Sequence, residues 1–519
     1  MSINLIKEEV RTMEVVCQKY SQTMVECDVI VPDVKPDIKR VLEVSGTVSL
    51  TQKLLQQDKV LLQGVVKMTV LYLPDGEGCV KSLTTSQEFT HTTDCRGISP
   101  EMQLLAEAEP ESFDSTLINS RKLNLRCILG IGIKVSKPVL LEIASDTEDA
   151  ASIALEKQPL RMICNADYAE CQIILREQLE FPSGKPTIGE ILKITANPVG
   201  VELCMMDGKA VAKGQVQVCT LYLDETEAPS LQFMEHMIPF TEILDAEGLR
   251  EDMDGEIEYT LNDMYYEVRE DSDGEARNLG LELVLGALLR GNEIREISAI
   301  ADAYSLTHDL TMTTNPHQLE QLLDHRTAEI TLKDQAKIPQ MLPALRQVCD
   351  VSATAKIDRI SSEHGQMTVF GTVQSRILYL SSDDSVPVSG FSHVSEFSHS
   401  FAVEGADTDT TCDARVLMEH VSYTIGGENS LELRFILGLS LKALKTSTVH
   451  LVEDMCEIPM ENASFPAMLL YFVQEGDSLW KIAKRYHTTV DTIKAFNHLE
   501  GDTIYPGQQL KILAQNKHK

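Results

Sequence analysis

Three groupings of residues in this chain have the side-chain types that reactions use. His91, Asp94 and Cys95 would set a base and an acid beside a thiol nucleophile if folding brought them together. His393 and His399, on either side of Glu396, offer imidazole and carboxylate groups of the kind that hold a metal ion. Asp207-Gly208-Lys209-Ala210 contains the Gly-Lys step of a phosphate loop, but it lacks the earlier glycine and the Ser or Thr that complete one. Nothing in the sequence fixes the mutual geometry of the first group, and a polar hairpin accounts for the second. There is no Gly-x-Ser-x-Gly elbow and no His-Glu-x-x-His zinc helix. No catalytic residue, metal ligand or cofactor is therefore assigned, and the expectation is a protein that is not an enzyme.

The elements that would have to position such groups are easier to read, because the chain repeats itself. Gly64 to Leu73, Gly214 to Leu223 and Gly371 to Leu380 all follow Gly-x-Val-x-x-x-x-Leu-Tyr-Leu. A Pro-x-x-x-Pro begins thirty-two residues before each glycine, at Pro32/Pro36, Pro182/Pro186 and Pro339/Pro343. A third mark, Leu-x-Leu-x-x-(Ile/Val)-Leu-Gly, ends at Gly130, Gly286 and Gly438, at distances of 66, 72 and 67 residues from the first glycines. The period is too long for a solenoid and matches a whole domain, so the reading is three tandem independent modules. Alternation puts Val66, Met68, Val70 and Tyr72, with their counterparts, on a core face. After each second proline the apolar spacing, as at Ile38, Val41 and Leu42, Ile188, Ile191 and Leu192, or Leu345, Val348 and Cys349, predicts a short helix. What recurs is Pro, Gly and apolar residues, which specify turns and cores, and no His, Asp, Glu, Ser or Cys is read at matching offsets in all three copies.

The expected fold is mainly β: three tandem antiparallel sandwich- or barrel-like domains, each with a short helix, over residues 15–145, 165–305 and 322–447, then a linker over 448–468 and a small α+β module over 469–514. The stretches between the copies read as short spacers. A net charge of −33 disfavours nucleic acid, whose binding needs clustered Lys and Arg. No apolar run approaches the ~20 residues of a membrane helix, and the charged start is unlike a signal peptide, so a cytoplasmic location without a membrane span is expected. The twelve cysteines form no Cys-x-x-Cys pair and do not recur between copies, which predicts reduced, largely buried thiols.

The C-terminal module reads strand, helix, helix, strand. Asp477 or Ser478 caps a helix with Leu479, Ile482, Ala483 and Tyr486 on one face, and a second helix follows Thr489 with Val490, Ile493 and Phe496 inward. Its Tyr-x-Val-x-x-Gly-Asp-Ser-Leu, Ile-Ala, Asn-x-Leu and Ile-x-Pro-Gly-Gln-x-Leu segments, over Tyr471 to Leu513, resemble the LysM domain. That resemblance implies a groove for N-acetylglucosamine polymers between two loops, here Gly476, Asp477, Ser478 and Leu479 on one side and Asn497, Ile504, Tyr505, Pro506 and Gly507 on the other. Trp480, the single tryptophan, is added as a candidate interface anchor. Three acidic β-rich repeats before one LysM module resemble the SipL family of clostridial spore coat morphogenetic proteins. The resemblance implies a non-enzymatic scaffold in the mother-cell cytoplasm at the forespore surface, held there by the coat ATPase SpoIVA and meeting other coat proteins, with the LysM module serving the protein contact. The alternative reading is a wall or cortex protein whose LysM module binds peptidoglycan.

Overall fold

The computed structural model describes residues 2–76, 79–148, 152–227, 229–383, 386, 388–427, 429–459 and 468–513; residues 460–467 of the expected linker lie outside them. The first copy consists of β1 (Leu5–Ile30), β2 (Ile38–Gln56), β3 (Lys59–Pro74), β4 (Lys81–Asp94), β5 (Gln103–Asn119) and β6 (Lys122–Thr147). The second repeats this as β7 (Ile153–Glu180), β8 (Ile188–Met206), β9 (Lys209–Asp224), β10 (Leu231–Asp245), β11 (Asp254–Glu270) and β12 (Ala276–Ser305). The third follows with β13 (Asp309–Lys337), β14 (Leu345–Glu363), β15 (Gln366–Ser381), β16 (Val388–Ala402), β17 (Thr410–Ile425) and β18 (Ser430–Ile458). In each copy three antiparallel strands, β1-β6-β5 in the first, pack their apolar faces against three others, β2-β3-β4, as a sandwich, and β11-β12-β7 and β13-β18-β17 are joined through Gln321 and Met162 into one six-stranded sheet. The mainly β expectation is met.

The recurring motifs turn out to be the joints of this sandwich. Tyr72, Tyr222 and Tyr379 are buried, and each hydroxyl donates to the carbonyl of the second proline, Pro36 at 3.2 Å, Pro186 at 3.1 Å and Pro343 at 2.8 Å. A buried phenol needs such a partner, so the Pro-x-x-x-Pro turn is tied to the middle strand. Gly64, Gly214 and Gly371 each pair across the sheet with a phenylalanine, Phe89, Phe240 and Phe397. A Cβ on Gly64 would lie 2.7 Å from the Phe89 ring, so the glycine is what lets the ring lie flat over the strand.

The helix expected after each second proline is absent: Ile38, Ile188 and Leu345 begin strands. In all three copies register shifts follow at a three-residue interval, Ile38/Arg40 and Val41/Glu43, Ile188/Glu190 and Ile191/Lys193, Leu345/Gln347 and Val348/Asp350. Each bulge adds a residue, so paired positions recur every three residues instead of every two, and a doubly bulged strand imitates helical spacing.

The copies are not independent modules either. The residues read as spacers, 136–165 and 305–325, are largely strand, as is the expected linker up to Ile458. The sandwich strands run on into ribbons: Leu5–Val15 with Ser136–Thr147, Ile153–Cys164 with Glu293–Ser305, and Asp309–Leu322 with Leu444–Ile458. A bulge marks the exit from each sandwich, at Val15/Cys17, Gly291/Glu293 and Leu322/Asp324. The three ribbons bury one common core, in which Leu141, Ile297 and Val449 occupy the same offset from Gly130, Gly286 and Gly438. We call this shared core the hub and the sandwiches lobes.

The lobes also meet one another directly. Leu71, Leu221 and Leu378, which precede the three motif tyrosines, share a single apolar cluster with Leu192 and Cys349. Beside it Lys193 of the second lobe donates to Glu43 of the first at 2.8 Å and to Asp350 of the third at 3.1 Å. Glu43, Lys193 and Asp350 stand seven residues after Pro36, Pro186 and Pro343, so one position of the repeat, taken three times, converges on a common axis. Further pairs close the ring: Arg290 with Glu107 between lobes one and two, Lys442 with Glu256 between two and three, and Lys356 with Glu111 between three and one.

Candidate binding site

The C-terminal module follows as β19 (Met468–Phe472), α1 (Leu479–Arg485), α2 (Val490–Asn497) and β20 (Gln509–Leu513), with Phe472 opposite Gln509. The Ser478 hydroxyl accepts from Lys481 N at the start of α1, and the Thr489 hydroxyl accepts from Thr492 N at the start of α2. Tyr471, Val473, Leu479, Ile482, Ala483, Ile493, Leu510 and Ile512 form its core. Phe496, expected inward, is instead partly exposed.

Two loops lie side by side at one end. Val473 N donates to Gln508 O at 2.9 Å and Gly507 N donates to Val473 O at 2.7 Å, which locks the loop before α1 to the loop before β20. Gly476 and Gly507 both have φ of 84°, a conformation that favours glycine. The Asp477 carboxylate accepts from Tyr471 Oη at 2.6 Å and Gln474 N at 2.8 Å, and these donors hold its pKa below the usual aspartate value. Asn497 is equally occupied: its amide donates to Ile493 O and Lys511 O and its carbonyl accepts from Lys511 N, fastening α2 to β20. Gly476, Tyr505, Pro506 and Gly507 are exposed, Tyr505 to 68%. Ile504 and Ser478 are half-buried beside them, whereas the Leu479 side chain is buried in the core and presents nothing to a ligand.

Trp480 points the other way, toward the hub. Its indole N–H donates to Asp302 Oδ2 at 2.8 Å, and its ring meets Tyr304 edge to face with centroids 4.8 Å apart. Lys484 Nζ reaches Asp302 Oδ1 at 2.5 Å, Tyr304 Oη donates to Thr488 O at 2.7 Å, and His487 Nδ1 lies 2.8 Å from Ser305 O. Burial opposes ionisation of Asp302, but Lys484 and Trp480 outweigh it and keep the carboxyl below its ordinary range. The module is thus seated on the ribbon of the second lobe by the face of α1 that carries its tryptophan.

Sequence reasoning missed Asp302 and Tyr304, although a signal existed. Asp146, Asp302 and Asp454 all stand sixteen residues after the third-mark glycines, and each carboxylate accepts from the next backbone N–H. An acidic residue therefore does recur at one offset in all three copies. Tyr304 has Glu148 and Cys456 as its counterparts, which restricts the aromatic seat to the second ribbon.

The reactive groupings disperse. His91 Nε2 lies 2.9 Å from Ser21 Oγ and 3.0 Å from Thr93 Oγ1, with its pKa lowered by burial. His393 binds Asp334 at 2.8 Å while His399 meets Phe401 edge to face, and Gly208 occupies a hairpin turn with φ of 72°. Asp254, Glu256 and His325 approach one another as metal ligands would, but Lys442 already sits among them, 2.6 Å from Glu256 and 3.4 Å from Asp254. The twelve cysteines are free; four are buried, Cys204 is exposed and the others are half-buried.

The LysM domain model matches residues 471–513, and the SipL, SPOCS domain model matches residues 37–118, 187–269 and 345–426. Over 40 residues, 8% of this chain and 12% of the relative, the sequence is 50% identical to the probable peptidoglycan endopeptidase LytE of Bacillus subtilis. It is 45% identical over 40 residues, 8% of this chain and 15% of the relative, to the probable autolysin SsaALP of Staphylococcus aureus. Over 53 residues, 10% of this chain and 8% of the relative, it is 42% identical to the spore coat assembly protein ExsA of Bacillus cereus. These similarities lie in the LysM region, so the chain covers only 8–15% of the length of these three curated relatives. No solved structure matches it. Three model matches that each begin at the bulged second strand of a lobe, followed by one over the module seated on the hub, give this chain three SipL, SPOCS domains and a C-terminal LysM domain, in keeping with the SipL-type resemblance.

Proposed function

We propose that this protein is a non-enzymatic scaffold of spore coat assembly, in which three lobes fixed around a hub offer acidic β surfaces and the LysM module takes hold of a further protein. The observation that carries this reading is the orientation of the module: α1 is committed to the hub through Trp480, while Gly476, Tyr505, Pro506 and Gly507 stay open. The SPOCS matches and the similarity to a spore coat assembly protein support the coat setting. The partner proposed for the open loops is a coat ATPase of the SpoIVA type, with other coat proteins on the lobes and the mother-cell side of the forespore as the location. No helix among the described residues is long and apolar enough to cross a membrane.

Glycan is the second reading, favoured by the 50% identity of the module to a relative named as a probable peptidoglycan endopeptidase. One experiment separates the two. The full chain and its Tyr505→Ala variant are tested against purified coat ATPase and against insoluble peptidoglycan. Loss of an exposed aromatic anchor is expected to weaken ATPase capture about tenfold or more. Retention on peptidoglycan that Tyr505→Ala abolishes, with no ATPase capture, would replace the first reading by the second.

A further inference from the structure

In the first lobe two thiols from different sheets meet. Cys17 lies in β1 at the bulge where the ribbon leaves for the hub, and Cys95 follows β4 directly. Cys17 packs against the buried cluster that contains Cys95, and Lys19 Nζ donates to Asp94 O at 2.5 Å, which holds β1 to the end of β4 beside the two thiols; both cysteines are free. Cys17 is half-buried and lines an open cleft of about 530 Å³ with Gln18, Lys19, Asp94 and Arg96. Cys95 is fully buried. One sulfur is therefore reachable from solvent and the other is reachable through the first, which is the arrangement of a peroxide-reactive thiol with its resolving partner.

The pair belongs to this lobe alone. Cys95 N bonds Asp58 O in the hairpin turn, as Ala246 N bonds Gly208 O and Val403 N bonds Gly365 O, so Ala246 and Val403 are its counterparts. At the bulge the counterparts of Cys17 are Asp167 and Asp324. Burial pushes the Cys95 thiol up to about 12, the neighbouring Cys17 adds to this and Lys19 opposes it. Cys95 is thus the slower nucleophile, and oxidation starts at Cys17.

We propose that Cys17 and Cys95 form an oxidation site, at which a hydroperoxide converts the dithiol to a disulfide that staples the two sheets of the first lobe. The Cys17 thiolate attacks one peroxide oxygen; an S–O bond forms, the O–O bond breaks and, with hydrogen peroxide, water leaves. The Cys95 thiolate then attacks the Cys17 sulfenic sulfur; the S–S bond forms, the S–O bond breaks and a second water leaves. The two thiols give up two protons and two electrons, and hydrogen peroxide is reduced to two waters.

The test treats the reduced full chain with hydrogen peroxide and maps its peptides without reduction. A peptide joining Cys17 to Cys95, lost on adding dithiothreitol and accompanied by a rise in melting temperature, is expected. In Cys95→Ser the Cys17 sulfur should instead go on to sulfinic acid, and in Cys17→Ser the Cys95 thiol should stay unmodified; equal melting of the reduced variants and wild type shows that they fold. Oxidation of exposed Cys204 in wild type, with Cys17 and Cys95 still thiols or with Cys17 as sulfinic acid and unlinked, would overturn the proposal.

Discussion

Tyr72, Tyr222 and Tyr379 show how little chemistry a repeated residue needs in order to be repeated: each spans from a middle strand to one proline carbonyl and is otherwise core. Trp480 shows the reverse, a unique residue whose role depends on a site elsewhere in the chain. Its position off the apolar face of α1 is legible in the sequence, but its partner is not, because Asp302 and Tyr304 lie far away along the chain. Being the only tryptophan, it reports on its own seat. Asp302→Ala removes the acceptor of both Trp480 and Lys484, and a bond to a charged group contributes about 1.5–3 kcal/mol, so the emission of Trp480 should move to the red at neutral pH. Because the Asp302 pKa is depressed, its contribution is present above the ordinary aspartate value and is lost as pH falls through the lower folded value. Acid titration of the wild type should therefore give the same red shift, and an emission that does not respond in either experiment would contradict the seat.

At the scale of elements, the strands are legible wherever alternation is regular, as in the Gly64 to Leu73 strand and its counterparts. The second strands read as helical turns because two bulges impose a three-residue rhythm, and nothing in a single sequence distinguishes the two. The converging charges are hidden for a different reason: Glu43, Lys193 and Asp350 occupy one repeat position but differ in sign, so no residue type repeats there. In the LysM module the caps and the four elements were legible, since its core is local in sequence. Burial opposes the charge of Lys193, yet the two carboxylates raise its pKa above the usual lysine value; burial raises that of Asp350, with Lys193 opposing and Glu43 adding to the rise. Lys193→Met leaves two carboxylates buried without a counter-charge and should cost about 3–5 kcal/mol in denaturant unfolding. Replacing Glu43 and Asp350 as well by apolar residues of similar size should restore most of that loss.

Over the whole molecule, the hub overrules the sequence picture of separate modules. Its ribbons alternate too briefly to announce themselves, and their partners are supplied by other copies. A fragment cut at 15–145 keeps Leu141 and Ile143 but loses Val10 and both neighbouring ribbons. Such a fragment should bind a hydrophobic dye and melt well below the intact body; a fragment as stable as the body would show that the lobes are autonomous after all. The covalent order of the copies has a further effect on how the surfaces are offered. Three separate chains with these interfaces would come apart on dilution, whereas here each interface forms within one polypeptide, at effective concentrations on the order of millimolar. A companion that touches two lobes at once meets them at the same spacing however scarce the protein is, and only unfolding or cleavage of the chain can change that spacing.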